Sequence, residues 1–185
     1  GFHGNSFKGY DIVLSTLFAE FTVKTEEKDE KLLNLWGIVP IQDVFWKGNL
    51  EILKRLLGEL GYRVNTFFGE NETLDNLKDA GRAILNIVVS DTAGIEPARV
   101  FEEVHGTPYI SVPFPIGPHA TEQFIYSIAN RLGIEKAFAD KVIKKQKDRY
   151  FSYVERIADV YNDLDLQRYA VIVGDSSYAQ ALARF

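Results

Sequence analysis

The chain has 185 residues, 46% of them hydrophobic, with 13 Phe, 9 Tyr and 2 Trp, enough apolar surface for one good-sized domain or one domain and part of another, and too much for a disordered chain. A net charge of −5, with acids and bases interspersed, lacks the basic footprint of a nucleic-acid binder, and no run approaches the roughly 18 apolar residues of a membrane span. There is no cysteine, which excludes a disulfide scaffold and any thiolate-held metal supplied by this chain alone. There is also no methionine, so Gly1 is not expected to be the native start, and the expected setting is cytoplasmic.

In chain order, residues 7–22 read as a helix with Leu14, Leu17, Phe18 and Phe21 on one face. The charged run 24–31 reads as a solvated connector, and 33–39 as a short buried strand. Asn49 reads as the start of an amphipathic helix whose apolar face is Leu50, Leu53, Leu56, Leu57 and Leu60, ended by Gly61. A strand over 63–68 is followed by a short helix over 73–80, and a strand over 83–89 by a helix over 96–104 that stops at Gly106. Residues 109–112 form another strand, and Pro118 opens a helix that runs to Leu132.

Strands alternating with helices of this length imply parallel βαβ units joined by right-handed crossovers. The expected fold is α/β: a Rossmann-like, four-stranded parallel sheet over about residues 33–112, helices on both faces. A long charged helix over 134–163, a strand over 168–173 and a helix opening at Ser176 read as the start of a second α/β domain. The expected organisation is therefore an N-terminal helix and connector (1–32), a Rossmann-like domain (33–133) and the opening of a following domain (134–185).

In open α/β sheets ligands sit beyond the carboxyl ends of the strands, which here means the loops 40–48, 69–72, 90–94 and 113–119. None carries a G-x-G-x-x-G or P-loop pattern. His3, His105 and His119 are dispersed without metal-ligand spacing and read as surface or capping residues. The paired carboxylates Asp29-Glu30 and Glu102-Glu103 read as surface charge. Gly174-Asp175-Ser176 at a strand end looks like the nucleophile loop of Gly-Asp-Ser esterases. No histidine base follows it, so a capped strand-to-helix turn is the preferred reading.

Several segments, in order and at matching spacing, carry a more specific likeness. They are the opening Gly1-Phe2-His3-Gly4-Asn5-Ser6-Phe7-Lys8-Gly9-Tyr10-Asp11, then Gly48-Asn49-Leu50 with Lys54-Arg55, then Ala83-Ile84-Leu85-Asn86. Gly106-Thr107-Pro108-Tyr109 with Pro115-Ile116-Gly117-Pro118-His119-Ala120-Thr121-Glu122 follows, and Gly174-Asp175 with Leu182-Ala183-Arg184-Phe185 closes the series. Together they resemble the middle portion of a nitrogenase component 1 subunit, over nearly the whole chain.

The resemblance implies an iron-sulfur redox complex, an alpha-type component 1 subunit as partner and electron delivery from an ATP-dependent iron protein. It implies cluster cysteines elsewhere in the subunit. In alpha-type subunits a cofactor-ligating cysteine ends the strand that begins here at Ala83, and a catalytic histidine falls near Tyr10 or Asp11. This chain has Ser90 at the first position and no histidine at the second, so it resembles the beta type. A serine that serves the electron-relay cluster in some beta-type subunits corresponds to Gly1. By position only, Gly1, Ser6 and Ser90 are the candidate cofactor-side residues, with residues 1–6 walling the cluster-proximal cleft.

The expected function is that of a structural, non-catalytic piece of a molybdenum-iron-protein-like subunit in nitrogen fixation, or of a related reductase. A cofactor-assembly scaffold of the same family and a periplasmic-binding-like module are the alternatives. No cluster is expected on the isolated chain, because clusters are held overwhelmingly by cysteine thiolates. Phe2, Phe7, Tyr10, Phe45 and Trp46 are expected to face missing partners.

Overall fold

A computed structural model describes residues 4–69, 71–163, 171–174 and 176–185. Gly1, Phe2, His3, Asp175 and residues 168–170 of the strand expected over 168–173 lie outside the described residues; residues 171–173 are not assigned to a strand. The chain forms two compact units, residues 1–112 and 113–185.

The first unit opens with α1, Ser6–Glu20, capped where Asn5 Oδ1 accepts the Lys8 N–H at 3.0 Å. Its apolar stripe is used as the sequence spacing predicts: Leu14 and Phe18 are buried, and Leu17 and Phe21 pack at the edge of the same cluster. Strand β1, Asp29–Trp36, begins inside the charged run instead of after it. Asp29 lies beside Ala83 in the sheet and pairs with Arg63, so the charges sit at the strand's wet amino end while Leu33 to Trp36 are buried. The strand ends at Trp36, short of Val39, because Gly37 at φ +94° turns the chain away.

Helix α2, Trp46–Glu59, starts before Asn49, which lies within it. Asp43 organises the entry: its carboxylate accepts the Phe45 N–H at 2.8 Å and the Asn49 amide at 2.7 Å. Leu50, Leu53, Leu56, Leu57 and Leu60 are buried as expected, and Gly61 at φ +91° follows the helix end. After β2, Arg63–Asn65, Thr73 and Asn76 form a reciprocal capping box on α3, Leu74–Asp79. A 3-10 turn, Ala80–Arg82, leads into β3, Ala83–Val88. Then come α4, Ile95–His105, ended by left-handed Gly106, and β4, Tyr109–Ser111.

All strand pairs are parallel, in the order β2-β1-β3-β4. Side chains alternate across the strands. On one face Trp36 meets Leu14 and Phe18 of α1, Leu77 of α3 and Phe101 of α4. The Phe18 ring lies 4.8 Å from Trp36 and 4.9 Å from Phe101, edge-on to the latter. Leu33 and Leu35 point to the other face, the side left for α2 and its row of buried leucines. The expected parallel sheet with helices on both faces is what forms.

The face with the aromatic cluster also carries a fully buried polar ladder. Asn65 Nδ2 donates to Asn34 Oδ1 at 2.9 Å, and Asn34 Nδ2 donates to Asn86 Oδ1 at 3.0 Å. Asn86 Oδ1 also accepts from Trp36 Nε1 at 2.8 Å, and Asn86 Nδ2 donates to the Thr107 carbonyl at 3.2 Å. One asparagine per strand thus links β2, β1 and β3, and the Ala80 and Asn76 carbonyls accept the second amide protons of Asn34 and Asn65.

The second unit pairs α5, Gly117–Leu132, with α6, Lys136–Asp163, through Lys147–Glu122 and the Tyr126 hydroxyl donating to Asp140. Helix α7 spans Ser176–Ala183, and the Phe185 ring lies over Gly117.

Asn34→Ala is expected to lower stability by about 1–3 kcal/mol, because it strands the buried amides of Asn65 and Asn86. Urea unfolding should show a lower midpoint at an unchanged slope.

Candidate functional site

Strand order reverses between β1 and β3: the chain steps from β1 to β2 on one side, then returns across β1 to β3 on the other. In open α/β sheets the crevice at the carboxyl ends of two such strands is where ligands bind. Here that crevice is the meeting point of the turn after β1, at Gly37, and the turn after β3, residues 89–94.

The two turns touch backbone to backbone. A Cβ built on Gly94 (φ +89°) would come 3.0 Å from Gly37 N, and one built on Gly37 (φ +94°) would come 3.1 Å from Ser90 Cβ. Only glycine satisfies both the positive φ and this approach. Helix α1 then lays two adjacent residues over the junction. The Gly37 N–H donates to the Tyr10 hydroxyl at 3.4 Å, and the Gly94 N–H donates to Asp11 Oδ1 at 2.7 Å. Asp11 therefore caps the amino end of α4 from another helix, because Gly94 has no side chain to do so. The chain's own α1 covers the switch point.

Burial raises the Tyr10 hydroxyl well above the usual phenol range. Burial also raises the Asp11 carboxyl, opposed by the Gly94 N–H and by Lys8 and reinforced by Glu96.

Ser90 is buried in the turn after β3, and its hydroxyl accepts the Thr92 N–H at 3.1 Å and the Ala93 N–H at 3.2 Å. Ser6 is exposed at the start of α1, and Gly1 lies outside the described residues. The structure thus places Ser90 at the strand end the sequence predicts, folded onto its own backbone, and leaves Ser6 on the surface. Of the histidines, His119 is on the surface, 3.0 Å from Gln123 Nε2. His105, expected at the surface or as a cap, is buried against the Phe101 ring, with its Nε2 2.7 Å from the Phe18 carbonyl in the last turn of α1. Phe45 is 65% exposed, while Phe7, Tyr10 and Trp46 are half-buried. Ile41 and Val44, which no sequence pattern singles out, stand out beside Phe45 at 83% exposure each.

No cluster-ligating set is built from these residues. The chain has no cysteine, and among the described residues no three His, Asp or Glu converge as metal ligands. The Ser90 oxygen is already engaged by backbone amides. This chain supplies no thiolate to an iron-sulfur cluster.

The sequence matches the nitrogenase component 1 type oxidoreductase family over residues 1–185. The chain belongs to that family. Within it, the chain is 35% identical over 143 residues to the B subunit of the light-independent protochlorophyllide reductase of Adiantum capillus-veneris, a match covering 71% of this chain and 27% of that protein. It is 32% identical over 138 residues to the protein of the same name from Nostoc punctiforme, covering 71% and 26%. The chain thus spans about a quarter of the length of these curated relatives. The solved structure "Nitrogenase Cp1 at pH 6.5" superposes with a TM-score of 0.74 at 19% identity, covering 98% of this chain and 41% of the other, a likeness of fold.

These relatives correct one expectation. The shared segments had suggested nitrogen fixation and a molybdenum-iron protein. The curated relatives are consistently B subunits of light-independent protochlorophyllide reductases instead. Ordered segments shared across the family identify it, but they do not encode which substrate its members reduce.

Two outcomes test the junction. Gly94→Ala should cost at least about 1–2 kcal/mol from the left-handed backbone alone, read as a lower unfolding midpoint. Asp11→Ala, which leaves the Gly94 N–H without its acceptor, should cost about 1 kcal/mol, while Asp11→Asn keeps an acceptor and should cost less. Because the Asp11 carboxyl is raised in the folded chain, its contribution to stability is fully present below the ordinary carboxylate range. That contribution is lost as pH rises through the raised folded value. On acidification through that window the wild type should therefore gain stability relative to Asp11→Asn, and the two stability curves should separate further.

Proposed function

We propose that this chain is the central segment of a B-type subunit in a nitrogenase-like reductase acting on a tetrapyrrole double bond. The observation that supports the reading is the 35% identity to the B subunit of a protochlorophyllide reductase over most of the chain. The geometry agrees with a framework role. The switch-point crevice is filled by Tyr10 and Asp11, and the strand end that would present a ligand carries Ser90 folded onto amide groups. In this reading the segment fixes the carboxyl edge of the sheet, with Ser6 at the start of α1 on the side towards the redox centre. The cluster thiolates come from other parts of the complex, an alpha-type subunit completes the substrate site, and an ATP-dependent iron protein delivers the electrons.

The test is reconstitution of the full-length subunit with its alpha-type partner and iron protein, supplied with ATP, dithionite and protochlorophyllide under anaerobic conditions. ATP-dependent conversion to the reduced macrocycle, followed by its red absorption, is the expected result. A stable complex that receives electrons and leaves the macrocycle untouched would contradict the proposed substrate class.

A further inference from the structure

At the opposite edge of the sheet from the Gly37–Gly94 junction, His105 ends α4 in a buried site that the proposed function does not use. Its Nε2 lies 2.7 Å from the Phe18 carbonyl near the end of α1. A carbonyl only accepts, so the proton is on Nε2 and Nδ1 carries a lone pair. Nδ1 is buried and has no hydrogen-bond partner.

The surroundings disfavour a second proton. Lys28 Nζ donates to the Gly81 carbonyl at 2.6 Å, to Thr107 Oγ1 at 2.8 Å and to the His105 carbonyl at 3.4 Å. The charge-favouring carboxyl end of α4 is thus already served by a cation. The charged groups that act on His105 are Lys28 and Lys24, both from the segment between α1 and β1 and both positive. The other neighbours are the Phe101 ring at 4.6 Å and the Phe18 carbonyl.

We propose that His105 is a proton-sensitive latch that holds the end of α1 against α4 while neutral and releases it when protonated. Protonation would bury an Nδ1–H without an acceptor beside two lysines, a cost the packed state relieves by letting the α1 end move away and water reach the ring. Burial, followed by the two lysines, holds the imidazole below its ordinary range, while the Phe18 carbonyl opposes the shift. For a depressed histidine the stabilisation is present above the unfolded-state value near 6.5 and is lost as pH falls below it. This is opposite in sign to Asp11. Because α1 carries Tyr10 and Asp11 towards its other end, the latch acts on the helix that covers the switch point.

The experiment is hydrogen exchange on the 185-residue chain, corrected for intrinsic rates, at pH 7.5 to 5, together with NMR titration of the His105 ring. Expected are a titration below 6.5 and loss of protection at the Phe21 and Thr22 amides, which donate to Leu17, by up to about tenfold per pH unit within the window. Lys28→Met should move the ring titration upward. His105→Gln, which can still donate to Phe18, should abolish the pH dependence of the two amides. A ring that titrates at or above 6.5, or α1 protection that stays constant over this range, would overturn the latch.

Discussion

One asparagine on each of three neighbouring strands fixes this sheet. An amide buried without partners costs on the order of 1–3 kcal/mol, so Asn65, Asn34 and Asn86 are tolerated only in the register that lets each satisfy the next. A slip of one residue would turn every side chain of a strand to the other face, removing the acceptor for Trp36 Nε1 and exposing that face's polar groups to the leucines of the opposite layer. Hydrophobic burial drives the sheet together, and the ladder decides how its strands align.

The carboxyl edge inherits that alignment. With β1 and β3 locked in register, Gly37 and the 89–94 turn meet at a fixed separation, close enough that neither glycine tolerates a side chain. Tyr10 and Asp11 then find two backbone N–H groups, one on each turn. The place where this fold ordinarily admits a ligand is filled by the protein's own first helix.

Much of the fold was legible in the sequence because helix periodicity and glycine punctuation are local signals. Leu50, Leu53, Leu56 and Leu57 marked α2's face, and Gly61 and Gly106 marked two helix ends. The misread boundaries had non-local causes. β1 extends into charged residues because Arg63 and Ala83 wait beside Asp29, and α2 starts early because Asp43 reorganises the turn. Family membership was legible from ordered segments, but the substrate was not. The ladder, the Asp11 cap and the burial of His105 join residues 31 to 87 positions apart, and no local pattern announces such pairings. Ser90 was placed at the right strand end, yet the use of its hydroxyl depends on the turn that follows.

The most direct measurement is the exchange of the side-chain amide protons of Asn34, Asn65 and Asn86, resolved by NMR under native conditions. If the ladder holds the register, these protons exchange only through global unfolding, at the same free energy as the backbone amides of β1 and β3. Exchange by a cheaper local opening, with the backbone sheet still protected, would show that the strands are aligned by something else.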